Sequence, residues 1–143
     1  RFANGVNLLQ STCPGLVQQI EAGDLDGPVT QGILEGALRP MLAQGIDTVV
    51  LGCTHYPFVI PLIEQIVGAG VRVIDPAPAV ARQVARLLDE RSLRQPEKTK
   101  PPVIRLVTTG DGTAMAAAVR RLICEGAEVE GVVWLNGEIN QPG

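Results

Sequence analysis

Residues Val49 to Pro57 read Val-Val-Leu-Gly-Cys-Thr-His-Tyr-Pro, an apolar run that stops at a glycine and then delivers a thiol, a hydroxyl and an imidazole in succession. Aliphatic β-formers running into a polar turn just ahead of a proline are the pattern of a strand feeding a helix. Open α/β sheets collect their chemistry at such strand ends, where backbone amides and the start of the next helix converge. The stretch therefore asks for a parallel sheet and places Cys53 at its edge.

The rest of the chain fits that demand. Its 143 residues suffice for one domain or the greater part of a larger one. A domain of this size buries roughly 68–70% of the surface its unfolded chain exposes, so a core can form without staples. Apolar residues make up 45% and aromatics only 3%, which leaves an aliphatic core of the kind parallel strands use. A net charge of −3 and a pI near 5.1 supply no basic stripe, so no nucleic-acid partner is expected. Arg82, Arg86, Arg91 and Arg94 recur along one predicted helix and its exit, and read as a solvated face. No apolar run approaches about 18 residues and no charged-then-apolar leader opens the chain, so neither membrane insertion nor secretion is expected. The expected location is cytoplasmic. Cys13, Cys53 and Cys124 are widely spaced and odd in number, unlike a disulfide framework or a metal knuckle, and the single histidine leaves a tetrahedral zinc site incomplete. Reduced thiols and no metal are the expectation.

Periodicity predicts alternating strands and helices. A strand near Gly5 to Gln10 leads into a helix over Pro14 to Ala22, stopped by Gly23. A second helix, Thr30 to Gln44, repeats Ile33, Leu34, Ala37, Leu38, Met41 and Leu42 on one side. Asp47 to Leu51 reads as a short strand buried on both faces, Phe58 to Val67 as a helix, and Val71 to Asp75 as a strand, together a β-α-β unit. Pro76 to Arg91 is a helix with Val80, Val84, Leu87 and Leu88 on one face. Gln95 to Pro102, rich in proline and charge, reads as a linker. Beyond it come a strand over Val103 to Thr108, a helix over Asp111 to Cys124 and a last strand over Glu128 to Leu135. The fold class is α/β, divided as 1–94, a linker 95–102, and a β-α-β segment 103–143.

Taken as residues alone, Cys53 with His55 two positions on is a nucleophile with its base, an acid/base thiol, or a small buried hydrophobe. A polar cluster in a strand-to-helix turn has no packing purpose, which disfavours the last. A thiol hydrolase would need the two side chains in contact, and neighbours two apart in a turn rarely achieve it. Pro57 and the helix expected to begin there would aim free amides at Cys53 and Thr54, favouring a thiolate and holding a carboxylate.

The string Leu51-Gly52-Cys53-Thr54-His55-Tyr56-Pro57 resembles the second catalytic motif of glutamate racemases, in the cofactor-independent aspartate/glutamate racemase superfamily. The likeness extends to Cys13-Pro14-Gly15-Leu16-Val17 with Glu21 and Gly23, to Gly45-Ile46-Asp47, to Val73-Ile74-Asp75 with Ala79-Val80-Ala81, and to Thr108-Thr109-Gly110-Asp111. It implies two similar α/β lobes with a site between them, and two cysteines on opposite faces of the substrate α-carbon, one removing a proton while the other returns one. No cofactor or metal is implied. The resemblance makes Cys53 the acid/base thiol, Thr54 a substrate-holding residue, His55 an assistant to the thiol, and Glu21 a carboxylate near the site.

The chain departs from the family in lacking the Asp-Ser pair that ends the first strand and the first-thiol Cys-Asn-Thr motif. It therefore reads as a C-terminal fragment, with 1–94 as the second lobe and 103–143 completing a largely missing first lobe. Cys13 matches the Cys-Pro position, which is not a catalytic thiol in the family, and with Cys124 is expected to be a packing residue. Apolar strand edges left without that lobe would favour a homodimer. The expected reaction is conversion of L- to D-glutamate for peptidoglycan, with the chain inactive alone. Aspartate racemase and a non-catalytic interaction module of the same fold are the competing readings.

Overall fold

A computed structural model describes residues 5–95, 104–123, 128–135 and 137–140. Five helices and six short strands are present among them: α1 (Leu16–Ala22), α2 (Pro28–Leu42), β1 (Thr48–Val50), a 3-10 turn (Tyr56–Val59), α3 (Ile60–Val67), β2 (Arg72–Ile74), α4 (Ala77–Glu90), β3 (Leu106–Thr108), α5 (Gly112–Leu122), β4 (Val129–Gly131), β5 (Val133–Leu135) and β6 (Glu138–Asn140). The class is α/β. Two compact units divide the chain, residues 1–82 and 83–143, and the division falls inside α4, ahead of the stretch read as a linker. Most of that stretch, together with Cys124 and Gly126, lies outside the described residues.

In the first unit β1 and β2 pair in parallel, Thr48 with Arg72, Val49 with Val73 and Val50 with Ile74. The ladder is extended at both ends, by Arg72 N donating to Asp47 O at 2.9 Å and Leu51 N to Ile74 O at 3.1 Å. α3 makes the crossover, so the β-α-β unit expected from the sequence is present. Leu16 and Ile20 of α1, Leu34 and Leu38 of α2, and Ile63 of α3 form the aliphatic core, with Leu16 and Ile20 wholly buried. α1 packs on α2 and on the 3-10 turn, and α2 packs on α3.

Glycines fix both ends of α1. Gly15 (φ 85°) and Gly23 (φ 88°) adopt left-handed conformations that a side chain would strain. Ile33 Cδ1 lies 3.5 Å from where a Cβ on Gly15 would sit, so α1 begins hard against α2. α2 starts at Pro28 rather than Thr30, because Asp24 Oδ1 accepts from Gly27 N at 2.7 Å and closes a turn that seats proline in the first helical turn. Thr30 is then wholly buried inside the helix, its hydroxyl donating to Asp24 O at 2.9 Å.

Two expectations are corrected here, and a third element, α4, forms as expected. No strand forms over Gly5 to Gln10: residues 6–13 carry no regular element, and Val6 and Leu8 stand exposed with no neighbouring strand to complete a ladder. β1 is not buried on both faces, since among the described residues its one strand neighbour is β2 and Val50 is 63% exposed. The apolar stripe of α4 is real as a pattern, but Val80, Val84, Leu87 and Leu88 are all exposed.

In the second unit β3 and β4 pair in parallel, Leu106 with Val129 through Thr108 with Gly131, and α5 packs on both. Asp111 caps α5, its Oδ1 accepting from Thr113 N at 2.8 Å and Ala114 N at 3.1 Å, and Arg120 and Arg121 occupy the last turn as expected. The single last strand expected over Glu128 to Leu135 is two. Val132 N donates to Thr108 O at 2.8 Å and ends the parallel ladder, after which β5 turns into an antiparallel hairpin with β6 through Gly137 (φ 83°). The Asn136-Gly137 pair in the sequence is a strong hairpin signal.

Replacing Ile20 by alanine empties a wholly enclosed site. It is expected to cost about 2–5 kcal/mol in urea unfolding. Val84→Ala on the exposed face of α4 is expected to stay within about 0.5 kcal/mol of the parent. Equal losses would contradict the burial described.

Candidate active site

The end of β1 positions the motif. Leu51 is still bonded to the β2 side, Gly52 has open space where a Cβ would project, and Cys53 is the next residue, half-buried. The chain then tightens: Tyr56 N donates to Cys53 O at 3.3 Å and Phe58 N to His55 O at 3.1 Å. The α-helix expected from Phe58 begins only at Ile60, after this 3-10 turn. The array of free amides anticipated at Pro57 is consequently not formed there. Proline has no N–H, and the amides on either side of it are engaged within the turn.

What meets the motif is α1. Glu21, in its last turn, stands with Oε1 3.1 Å from His55 Nε2, across 34 residues of sequence. Thr54 Oγ1 lies 3.4 Å from His55 Nδ1 on the other side of the ring. An ionised carboxylate can only accept, so Glu21 takes the Nε2–H and Nδ1 is left to accept from the Thr54 hydroxyl. The imidazole is thereby held in one tautomer and one orientation. The His55 and Glu21 side chains are 32% and 54% exposed, so the pair adds little to stability and its value is in orientation.

Cys13 is a thiol assigned to packing by the sequence. It is half-buried just ahead of α1, with its carbonyl accepting from Leu16 N at 3.1 Å. Burial pushes the Cys13 thiol up from its ordinary range, the Tyr56 hydroxyl partly offsets this by donating to the sulfur, and negative charge on Cys53 pushes it further up. Tyr56 is also raised, by burial first and then by Cys13 and Cys53. Glu21 in the last turn of α1 thus meets His55, while Cys13 precedes the helix.

Of the residues expected in the site, Glu21, Thr54 and His55 are joined by hydrogen-bond distances and Cys53 adjoins them in the chain. The arrangement offers a thiol able to exchange a proton with a bound acid, beside an imidazole fixed by a carboxylate. Among the described residues no group of three or more His, Cys, Asp and Glu side chains is placed to share a metal ion, and no helix is long and apolar enough to cross a membrane.

Residues 8–84, which hold all of these side chains, match the family described as Asp/Glu/Hydantoin racemase. The chain belongs to that family. Among curated relatives it is 45% identical over 122 residues to glutamate racemase of Roseiflexus sp., a match covering 85% of this chain and 45% of that one. Among solved structures, a glutamate racemase isoform from Bacillus anthracis superposes with a TM-score of 0.80 at 26% identity, over 90% of this chain and 48% of that one. Glutamate racemase from Francisella tularensis, solved in complex with D-glutamate, gives 0.70 at 28% identity over 84% of this chain and 44% of that one. The chain thus spans about half the length of these racemases.

The Cys13 environment gives a signed prediction. In pH-dependent alkylation followed by mass spectrometry, Cys13 should titrate above the free-thiol value of about 8.5. Tyr56→Phe should move its midpoint higher, by removing a bond to the thiolate, and Cys53→Ser should move it lower. Shifts of opposite sign would contradict the geometry described.

Proposed function

We propose that the chain is the Cys53-bearing part of a cofactor-independent glutamate racemase, in which Cys53 exchanges the α-proton on one face of glutamate. The observation that carries this reading is the Glu21–His55–Thr54 chain of contacts beside Cys53. It provides a thiol with an oriented imidazole next to it, as proton transfer to and from carbon requires. The family match and the relatives named glutamate racemase support the class of reaction, and the D-glutamate in the Francisella complex supports the length of the substrate side chain.

In the proposed reaction the Cys53 thiolate takes the α-proton and becomes a thiol, leaving a carbanion that a second group reprotonates from the opposite face. The reverse direction uses Cys53 as the acid. Thr54 holds substrate through its hydroxyl and amide, and His55, oriented by Glu21, moves protons to and from the thiol or the substrate. The second base belongs to sequence these residues do not contain, since no Cys-Asn-Thr motif occurs here. Residues 1–94 form one lobe in this reading, 95–102 a connector, and 103–143 a segment completing the other lobe. The product D-glutamate serves peptidoglycan synthesis in the cytoplasm, and the protein works as a homodimer.

The test is incubation of the chain with L- or D-glutamate in heavy water, following α-deuteration by NMR and inversion by chiral chromatography. Deuteration without inversion is expected, abolished in Cys53→Ser and reduced roughly 10²-fold in His55→Asn. Deuteration that survives Cys53→Ser would sink the assignment, and full inversion would place the second base within this chain. A folded chain that binds glutamate without exchange would favour a non-catalytic module.

A further inference from the structure

Among the described residues Thr30 is the one buried polar side chain, and the proton-transfer reading gives it no task. It lies on the buried stripe of α2 with Leu34 and Leu38, where valine would fill the same volume with no hydroxyl to satisfy. A hydroxyl in such a place costs free energy unless it is bonded. Threonine inside a helix commonly bonds back to a carbonyl of the preceding turn of its own helix. Thr30 instead reaches out of α2 and donates to Asp24 O at 2.9 Å.

Asp24 ties α1 to α2. Its N–H donates to Gln19 O at 2.9 Å while Gly23 N donates to Ile20 O at 2.9 Å, the paired bonds that close a helix on a left-handed glycine. Its side chain accepts from Gly27 N at 2.7 Å and closes the turn into α2. The carbonyl held by Thr30 thus belongs to the residue whose amide closes the last turn of α1. Glu21 lies in that turn, directly after the wholly buried Ile20. Its exposed carboxylate meets His55 Nε2 at 3.1 Å across 34 residues of sequence, so the contact is set by where the backbone of the turn is held.

We propose that Thr30 is a positioning residue of the site: its hydroxyl, by holding Asp24 O, fixes the last turn of α1 and with it the reach of Glu21 to His55. Thr30 acts through the backbone and transfers no proton. The proposal rests on the reading of Glu21 and His55 as part of a proton-transfer site, but the contact it concerns is observable without substrate. In Thr30→Val the volume and apolar packing are kept and Asp24 O loses this donor, so the turn relaxes and the Glu21–His55 contact opens. One neutral hydrogen bond shifts such an equilibrium roughly 2- to 10-fold.

His55 is the single histidine of the chain, so its ring signals are unambiguous. The experiment labels histidine with nitrogen-15 and records the ring nitrogen shifts and the exchange of the Nε2 proton by NMR, with no glutamate present. Glu21→Ala supplies the signature of a ring without its carboxylate. Thr30→Val is expected to move the His55 signals toward that signature, with Nε2-proton exchange roughly 2- to 10-fold faster. Thr30→Ser keeps the hydroxyl and should stay with the parent. Leu38→Val, on the same stripe of α2, loosens packing without removing the Asp24 bond and should leave the signals in place. If the valine variant does not fold, Thr30→Ala read against Thr30→Ser makes the same comparison. Parent-like His55 signals in the variant lacking the hydroxyl, an equal displacement in Thr30→Ser or Leu38→Val, or a parent indistinguishable from Glu21→Ala would each overturn the proposal. Because no substrate is present, the outcome is separate from whether the chain exchanges the α-proton of glutamate.

Discussion

The docking of α1 onto the 3-10 turn that follows Cys53 is the constraint on which the site depends. The segments come from distant parts of the sequence, and what joins them is aliphatic burial: Leu16 and Ile20 on one side, Val59 of the turn on the other, all essentially shut off from solvent. Burying side chains of this size contributes about 1.5–3 kcal/mol each. The exposed His55–Glu21 pair contributes at most about 1 kcal/mol. Packing therefore sets the position of α1, and the polar contacts inherit it. Left-handed glycines at both ends of the helix fix where it starts and stops, and hence which residues face the motif.

From this follows a division of labour within the first unit. The parallel β1–β2 ladder delivers Gly52 and Cys53 to a strand end, where the backbone is free to turn. The 3-10 turn uses the Tyr56 and Phe58 amides to shape itself, so no helix N-terminus opens at Pro57. Glu21 of α1 thus meets His55 and Thr54, which lie between β1 and the 3-10 turn that begins at Tyr56, and Cys53 adjoins them in the chain.

Much of this was legible in the sequence, for identifiable reasons. The motif Gly52 to Pro57 was readable because polar residues between an apolar strand and a proline have few structural uses. The elements α1, α2, β1, β2 and α5 were readable from apolar spacing and from Gly23, Gly45 and Asp111 at their ends. What was not legible depended on partners distant in sequence. Val6 and Leu8 alternate like a strand, yet find no ladder. The regular stripe of α4 says nothing of what covers it, and in the structure it stands exposed. The meeting of Glu21 with His55 depends on the docking of α1, which joins residues 34 apart in sequence. The β5–β6 hairpin is a different case, since Asn136-Gly137 announced it.

We propose that α1 and the turn after β1 build one glutamate-facing site around Cys53 within the first unit. Titrating the isotope-labelled chain with D-glutamate and following amide shifts by NMR tests it directly. The account predicts perturbations clustered at residues 53–56 and at Cys13 and Glu21, diminished in Ile20→Ala, where the α1 packing is loosened. Perturbations elsewhere in the chain with these residues silent would contradict it.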